Sequence, residues 1–166
     1  MGTIPKDLAE LDTCASLYLR EIAEPAQNSL RLLIEEAFVM SEEVTVKFAG
    51  AEITNCHPVK PTPSSRLFEI VWDNYVVYSV ANESYSTRNE SEEFSGRFAR
   101  LYAKSYFLDY VSRATLATEE YPGRMRHIQV VCECHIVDVV STEFPRVSQL
   151  RLSASDNSNS RDITRT

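Results

Sequence analysis

The feature that most constrains the fold is a pair of β-branched and aromatic runs on either side of Asp73-Asn74. Side chains alternate between the two faces of a strand, and residues 67–72 and 75–80 place apolar side chains on both faces. Asp and Asn tolerate the backbone angles of tight turns, so this pair is predicted to form the two-residue loop of a β-hairpin. Because both faces are largely apolar, we expect a helix to cover the hairpin and Trp72 to be buried there.

Helical spacing is found in the N-terminal third and again after residue 93. In the N-terminal third, two apolar stripes on either side of Pro25 predict a bent pair of helices, through Leu8, Leu11, Ala15, Tyr18 and Ile22 and through Leu30, Leu33, Ile34, Ala37 and Phe38. The later spacing predicts one long helix from Phe94 to Leu116, capped by Asn89 and Glu92. This long helix is the expected cover for the hairpin.

The remaining patterns complete an α+β prediction. Residues 44–54 alternate as a hairpin with a glycine-containing turn, and residues 128–140 are rich enough in β-branched side chains to predict one long central strand. The expected fold is an antiparallel or mixed sheet of about five strands, with the N-terminal helical pair and the long helix packed on it. Residues 1–152 are predicted to form a single globular domain, and residues 153–166 a disordered polar tail.

Charge and hydropathy narrow the classes of partner. The chain carries 17 basic and 24 acidic residues, a net charge of −7. It has no basic field for nucleic acid, and an acidic body favours docking to a basic protein. No run of about 18 apolar residues is present, and the first residues lack the basic-then-apolar order of a signal peptide. We therefore expect a cytoplasmic protein that binds neither nucleic acid nor membranes.

The densest group of reactive residue types is Cys132-Glu133-Cys134-His135. On a strand, alternation places the two cysteines on one face and Glu133 and His135 on the other, so a single metal ion cannot bind them all. Two cysteines two residues apart on an extended strand are also poorly placed for a disulfide. The expectation is reduced thiols, no metal and no other cofactor.

The alternative hypothesis is a small enzyme or a ligand-binding domain with a site near His135 and Glu83. A carboxylate from Glu133, or from Glu83 if the last strand pairs beside residues 75–83, would hold this histidine as a general base. No nucleophile elbow, phosphate-binding loop or HExxH motif accompanies these residues, and the chain has only four glycines. The same residues suit a histidine held by a buried carboxylate, so the sequence favours a binding protein over an enzyme.

The preferred hypothesis is a small acidic binding or regulatory protein, of the immunity or adaptor type, that acts through a protein partner. The polar segment from residue 83 to residue 93 contains the acids Glu83, Glu90, Glu92 and Glu93. It is expected to lie beside a helical column of tyrosines, Tyr102, Tyr106 and Tyr110. Acids around aromatic anchors have the composition of an interface rim and its hot spots, although a solvated loop beside core tyrosines has the same composition. The partner's identity and the formation of a homo-oligomer stay open.

Overall fold

A computed structural model of the chain describes residues 3–87 and 89–150. Within them the elements follow in this order: α1 (Lys6–Ala9), a 3₁₀ turn (Glu10–Thr13), β1 (Ser16–Ala23), β2 (Leu30–Val39), β3 (Val44–Phe48), β4 (Ala51–Cys56), β5 (Val59–Lys60), β6 (Leu67–Trp72), β7 (Val77–Asn82), a second 3₁₀ turn (Glu83–Tyr85), β8 (Glu93–Ser95), β9 (Ala99–Lys104), α2 (Tyr106–Ala114), β10 (Arg126–Val131), β11 (His135–Ser141) and β12 (Arg146–Leu150). The predicted polar tail lies outside the described residues.

Within the described part of the chain, ten strands form two antiparallel sheets that pack face to face. The first sheet has the order β1-β2-β6-β12, with β5 paired to the end of β2, and the second has the order β7-β11-β10-β9-β8. Alternate side chains of both sheets meet in one core: Leu17, Leu30, Leu32, Ile34, Phe68, Ile70 and Trp72 from the first sheet, and Ala99, Leu101, Ile128, Val130, Val137 and Val139 from the second. This arrangement is a β-sandwich. Trp72 is 1% exposed, which confirms its predicted burial.

Strands β3 and β4 form a separate hairpin, which we call the arm (residues 44–56). The hairpin predicted over residues 44–54 is thereby confirmed. Ala49 and Gly50 make its turn, with φ values of 48° and 83°. Apart from the contacts between its own two strands, the arm makes few contacts with other elements. It therefore extends from the sandwich into solvent.

The α+β prediction is wrong, because the chain is mostly β and its α-helices are short. The N-terminal helical pair is replaced by α1, a 3₁₀ turn and strands β1 and β2. Within a dense apolar run, the same residues fit a period of two as well as a period of 3.6. Leu30, Leu32 and Ile34 follow the period of two and face the core, where pairing with β6 fixes them. None of the helices among the described residues is long and apolar enough to cross a membrane.

The long helix predicted from Phe94 to Leu116 is wrong as well. Its first half forms β8 and β9, joined by a turn at Gly96, whose φ of +99° favours glycine. The two strands alternate, with Ala99 and Leu101 facing the core. The helix begins only after Ser105, so α2 spans nine residues.

The hairpin expected around Asp73-Asn74 does not form, because β6 and β7 lie in opposite sheets. Strand β6 pairs with β2 and β12, whereas β7 pairs with β11. The crossover between them is held from both sides: the Tyr75 N–H donates to a carbonyl just before β2, and the Val76 N–H donates to one at the end of β11. Strands β6 and β7 each pair with strands that are distant in the sequence and not with each other, because the stability of a strand pair depends on the rest of the sheet. The long strand predicted over residues 128–140 is likewise divided into β10 and β11, with a tight turn between them.

Candidate partner-binding surface

Helix α2 is attached to the sandwich at its first turn. Ser105 is the N-cap, and its Oγ accepts the backbone N–H of Leu108 at 3.0 Å. A Glu92 Oε1 accepts the N–H of Tyr106 at 2.9 Å. Both bonds satisfy N–H groups that have no partner within the helix, and the carboxylate is favoured by the helix dipole. The predicted cap of Asn89 and Glu92 at the start of a long helix is therefore wrong: strand β8 follows these residues, and Glu92 instead accepts an N–H of α2, which begins 14 residues later in the chain.

The two sides of α2 differ in their surroundings. On the inner side Val111 is fully buried, and the ring of Phe107 lies 5.3 Å from the ring of His127. On the outer side Tyr106 and Tyr110 are 56% and 59% exposed. The helix therefore uses one side to cover the second sheet and presents two aromatic side chains on the other.

A chain of buried hydrogen bonds lies beneath α2. His127 Nε2 is 2.8 Å from Asp138 Oδ1, and His127 Nδ1 is 2.8 Å from Ser105 Oγ. A carboxylate only accepts, so the histidine proton lies on Nε2 and Nδ1 accepts from the Ser105 hydroxyl, which in turn accepts the Leu108 N–H. Gln129 Nε2 donates to the same Asp138 oxygen at 2.8 Å. Both ring nitrogens of His127 then have a hydrogen-bond partner.

The same network reaches strand β9. Gln129 Oε1 accepts from Arg100 Nη1 at 3.0 Å and from the Tyr102 hydroxyl at 3.1 Å. The Tyr102 ring stacks on the ring of His127, with 4.3 Å between centroids. Burial raises the pKa of the Tyr102 hydroxyl, which keeps it a donor. Three strands and α2 are joined by these bonds, so the position of the helix is fixed by the sheet below it.

Ser105, His127 and Asp138 are the residue types of a catalytic triad, but their placement does not suit nucleophilic catalysis. Ser105 is 2% exposed and His127 is 1% exposed, so a substrate has no path to the hydroxyl. The hydroxyl is also occupied as the cap of α2. A nucleophile must reach the reacting atom while its base remains in contact. We therefore assign these three side chains to holding the helix in place.

The connector between α2 and β10 presents two more apolar side chains. Leu116 is 92% exposed and Tyr121 is 75% exposed. The backbone beneath them is ordered by short-range bonds: the Ala117 N–H donates to Thr115 Oγ1, and the Tyr121 N–H donates to Thr118 Oγ1, both at 3.1 Å. Clustered apolar exposure on an ordered backbone is typical of an interaction site.

We call the exposed side chains of α2 and its connector the α2 surface, namely Tyr106, Tyr110, Leu116 and Tyr121. Two open depressions adjoin it. One of about 460 Å³ is lined by Tyr106, Asp109, Tyr110, Arg113 and Ala114. The other, of about 290 Å³, is lined by Asn74, Tyr75, Val76, Thr115, Leu116, Ala117, Tyr121, Pro122 and Thr142. Shallow, open depressions suit the protruding side chains of a protein better than an enclosed small molecule.

The four acids singled out in the sequence do not form one cluster. Glu92 and Glu93 lie at the start of β8, next to the first turn of α2, and Glu90 is exposed shortly before them. Glu83 lies in the 3₁₀ turn after β7, and β7 and β8 are opposite edges of the second sheet. Three of the four acids therefore lie along the chain that leads into β8, and the fourth follows the far edge strand.

The three tyrosines of the expected column are also divided. Tyr106 and Tyr110 are exposed on α2, and the Tyr106 hydroxyl lies 2.9 Å from Ser91 Oγ in the acidic segment. Tyr102 belongs to β9 and is 8% exposed, so it supports the helix from below instead of lining its surface. The acidic segment and two of the tyrosines are thus neighbours.

The residues of the enzymatic alternative are placed as follows. Strand β11, which begins at His135, does pair beside β7, and the Glu83 N–H donates to the turn before β11 at 3.3 Å. Glu133 is directed to the first sheet: its N–H donates to the Leu17 carbonyl at 2.9 Å, and its carboxylate accepts the Ser16 hydroxyl. Glu133 therefore fastens the turn between β10 and β11 to β1, and it is not free to orient His135.

The neighbouring cysteines lie in this turn and not on a continuous strand. Cys132 is buried, and burial raises the pKa of its thiol to about 12, whereas Cys134 is exposed. A thiol with so high a pKa is a poor nucleophile and a poor metal ligand at neutral pH. Among residues 3–87 and 89–150, no group of three or more His, Cys, Asp or Glu side chains is arranged to hold a metal ion.

Comparisons of the chain with family models, with curated proteins and with solved structures found no match. The candidate surface therefore rests on geometry alone. Sequence reasoning missed Leu116 and Tyr121, which frame a polar stretch with the acids Glu119 and Glu120. Isolated large apolar residues beside consecutive acids were the available signal, but Leu116 was assigned to the end of the predicted long helix.

Proposed function

We propose that this chain is a small acidic binding protein of the cytoplasm that docks through the α2 surface onto a basic protein partner. The observation that carries the proposal is that four large apolar side chains, between 56% and 92% exposed, lie on one helix and the connector that follows it. Tyrosine side chains that become desolvated at the centre of an interface supply much of its binding free energy, and an exposed leucine beside them adds apolar area to be buried.

The hydrogen bonds beneath the α2 surface favour specific recognition over nonspecific adhesion. The N-cap Ser105, the carboxylate of Glu92 and the imidazole of His127 hold the first turn of α2 in place. A surface that is already ordered loses less conformational entropy when it binds, so more of the contact free energy appears as affinity. The connector, with its own internal hydrogen bonds, extends the ordered region to Leu116 and Tyr121.

The charges around the α2 surface favour a basic partner. Asp109 on the helix and Glu119 and Glu120 on the connector are exposed, against Arg113 on the same helix. Glu90 adds negative charge at the end of α2 where Glu92 caps it, and Glu93 lies opposite the exposed Lys104. Acids on a rim raise the rate of encounter with a positively charged protein, and salt weakens that effect.

The test compares variants against one purified partner. The tagged chain captures candidates from a lysate of the source host, and surface plasmon resonance then measures binding of the purified candidate to wild-type chain and to the double variant Tyr110→Ala, Leu116→Ser. We expect affinity to fall by more than about tenfold, because each truncation removes a central contact. Val39→Ser, at an apolar position that is 66% exposed at the end of β2, is the matched control and should bind as the wild type does.

A second pair of variants tests the charge argument. Glu119→Gln with Glu120→Gln should slow association and flatten its dependence on salt, while dissociation changes little, because rim charges act mainly on encounter. Glu92 is left intact since it caps α2. Equal affinities for wild-type chain and the Tyr110, Leu116 variant would refute the α2 surface as the docking site.

A further inference from the structure

The arm carries an apolar face that is open to solvent. Val46 and Ile53 are paired directly across its two strands, and they are 44% and 51% exposed. Val44, two residues before Val46 on the same strand, is 36% exposed, and a bulge separates its pairing from that of Val46. A sheet face lined by Val and Ile is normally buried against another layer, so this face has the composition of an interior and the exposure of a surface.

The other face of the arm is polar. Thr45, Lys47 and Glu52 alternate with the apolar positions and are exposed, and Lys47 Nζ lies 3.0 Å from Glu52 Oε1. The arm is therefore amphipathic in the manner of a strand pair at the edge of a core. An isolated two-stranded hairpin is at best marginally stable in water, and it becomes stable when its apolar face is covered.

We infer that the arm is a self-association surface, and that its apolar face packs against the same face of the arm in a second copy of the chain. The first reason is charge. Residues 44–56 contain one Lys and one Glu, which pair with each other, so the arm is neutral in a chain of net charge −7. It offers no charge by which a basic or acidic foreign protein would be selected.

The second reason is the repulsion between copies. Two acidic sandwiches repel each other, and association is least opposed where neutral arms meet and keep the sandwiches apart. The third reason is symmetry. An interface around a two-fold axis brings one patch against itself, and the Val46–Ile53 pair of one arm then meets the Ile53–Val46 pair of the other. Faces of packed sheets lie about 10 Å apart, a spacing that branched aliphatic side chains fill.

The test measures the mass of the full chain by light scattering and sedimentation from roughly 1 to 200 µM, a range that covers micromolar dissociation constants. We expect the mass to rise with concentration towards twice the 18.9 kDa of one chain. In Val46→Lys the symmetric contact places each introduced charge against Ile53 of the second copy and brings the two charges side by side, so dimerisation should weaken by at least about 100-fold. Thr45→Lys adds the same charge one residue away on the polar face, and it should dimerise as the wild type does.

The outcomes separate this inference from the docking proposal. Added salt should strengthen the dimer, because it screens the repulsion between acidic sandwiches, whereas it should weaken binding of a basic partner to the α2 surface. The Tyr110→Ala, Leu116→Ser variant should keep the wild-type dimer. A single-chain mass at the highest concentration, a Val46→Lys dimer as tight as the wild type, or a dimer lost in the α2 variant would each overturn the arm as the self-association surface.

Discussion

The sandwich and the arm are built from the same kind of antiparallel strand, but they differ in what lies on their apolar faces. In the sandwich, each face that carries Leu, Ile, Val and Phe meets the facing sheet, and polar groups such as His127 on its outer side are buried and paired under α2. In the arm, Val46 and Ile53 alternate equally well and remain half exposed. Alternation decides which side chains share a face, whereas a covering layer decides whether that face contributes stability.

Two glycines at positive φ provide the sharpest contrast between the regions. An added Cβ at Gly96 would lie 1.9 Å from the Ala99 carbonyl oxygen, and the turn cannot shift easily because Asp12 Oδ1 accepts the N–H groups of Phe98 and Ala99. We expect Gly96→Ala to lower the free energy of unfolding by more than about 4 kcal/mol in urea titrations. Gly50, at the tip of the arm, has nothing within 4 Å of its added Cβ.

Gly50→Ala is the control for that prediction. Its φ of +83° is strained for alanine, at a cost of about 1–2 kcal/mol that is confined to the arm. The urea midpoint of the sandwich should therefore stay unchanged in Gly50→Ala. A lowered urea midpoint in Gly50→Ala would show that the arm and the sandwich unfold as one unit, and the contrast between them would disappear.

The next largest effect concerns His127. His127→Ala leaves the Asp138 carboxylate and the Ser105 hydroxyl without their shared partner and opens a cavity beneath α2. We expect a loss of about 3 kcal/mol in the free energy of unfolding, together with weaker partner binding because the first turn of α2 loosens. Ile53→Ala on the arm removes exposed apolar atoms and should change unfolding by less than about 0.5 kcal/mol. If His127→Ala left the free energy of unfolding unchanged, the helix would be held by its apolar side alone.

The smallest expected effect is on the pH dependence of stability, and it distinguishes the partly buried pair of Glu36 and Arg66 from the exposed pair of Glu52 and Lys47. Arg66 donates to both carboxylate oxygens of Glu36, at 2.8 and 3.0 Å, and these hydrogen bonds lower the pKa of Glu36 below its ordinary value. A carboxyl with a lowered pKa in the folded state contributes stability at neutral pH, and this contribution is lost as the pH falls through the ordinary Glu range towards the lowered value.

Glu36→Gln should therefore flatten the decline in the urea midpoint between pH 6 and about pH 3, compared with the wild type. The control is Glu52→Gln, which removes an exposed partner of Lys47 on the arm. Exposed pairs contribute about 0–1 kcal/mol, so the decline in that variant should match the wild type. An unchanged decline in Glu36→Gln would show that other carboxyls dominate the acid response.

Parts of the molecule were predictable because they depend on neighbours in the chain. Alternation predicted the arm over residues 44–54, a strand over residues 67–72 and the burial of Trp72. At the candidate surface, the sequence drew attention to Tyr106 and Tyr110, and their exposure follows from the outward side of α2. Leu116 was missed because its predicted helix was too long. His127 was not considered a support because its partners, Ser105 and Asp138, come from elements that only the fold brings together.

The amino-acid pattern on its own located the turn of the arm, the alternating runs and the acidic character of the chain, since these properties are local or additive. The assignment of β6 and β7 to different sheets was decided by the tertiary structure, because the free energy of a strand pair depends on which other strands and which covering layer compete for it. The same holds for residues 94–116. Their apolar residues have helical spacing, but the first half forms β8 and β9, which pair with each other and with β10 at the edge of the second sheet. Burial of an apolar face is a property of the assembled sandwich, and local spacing alone does not specify it.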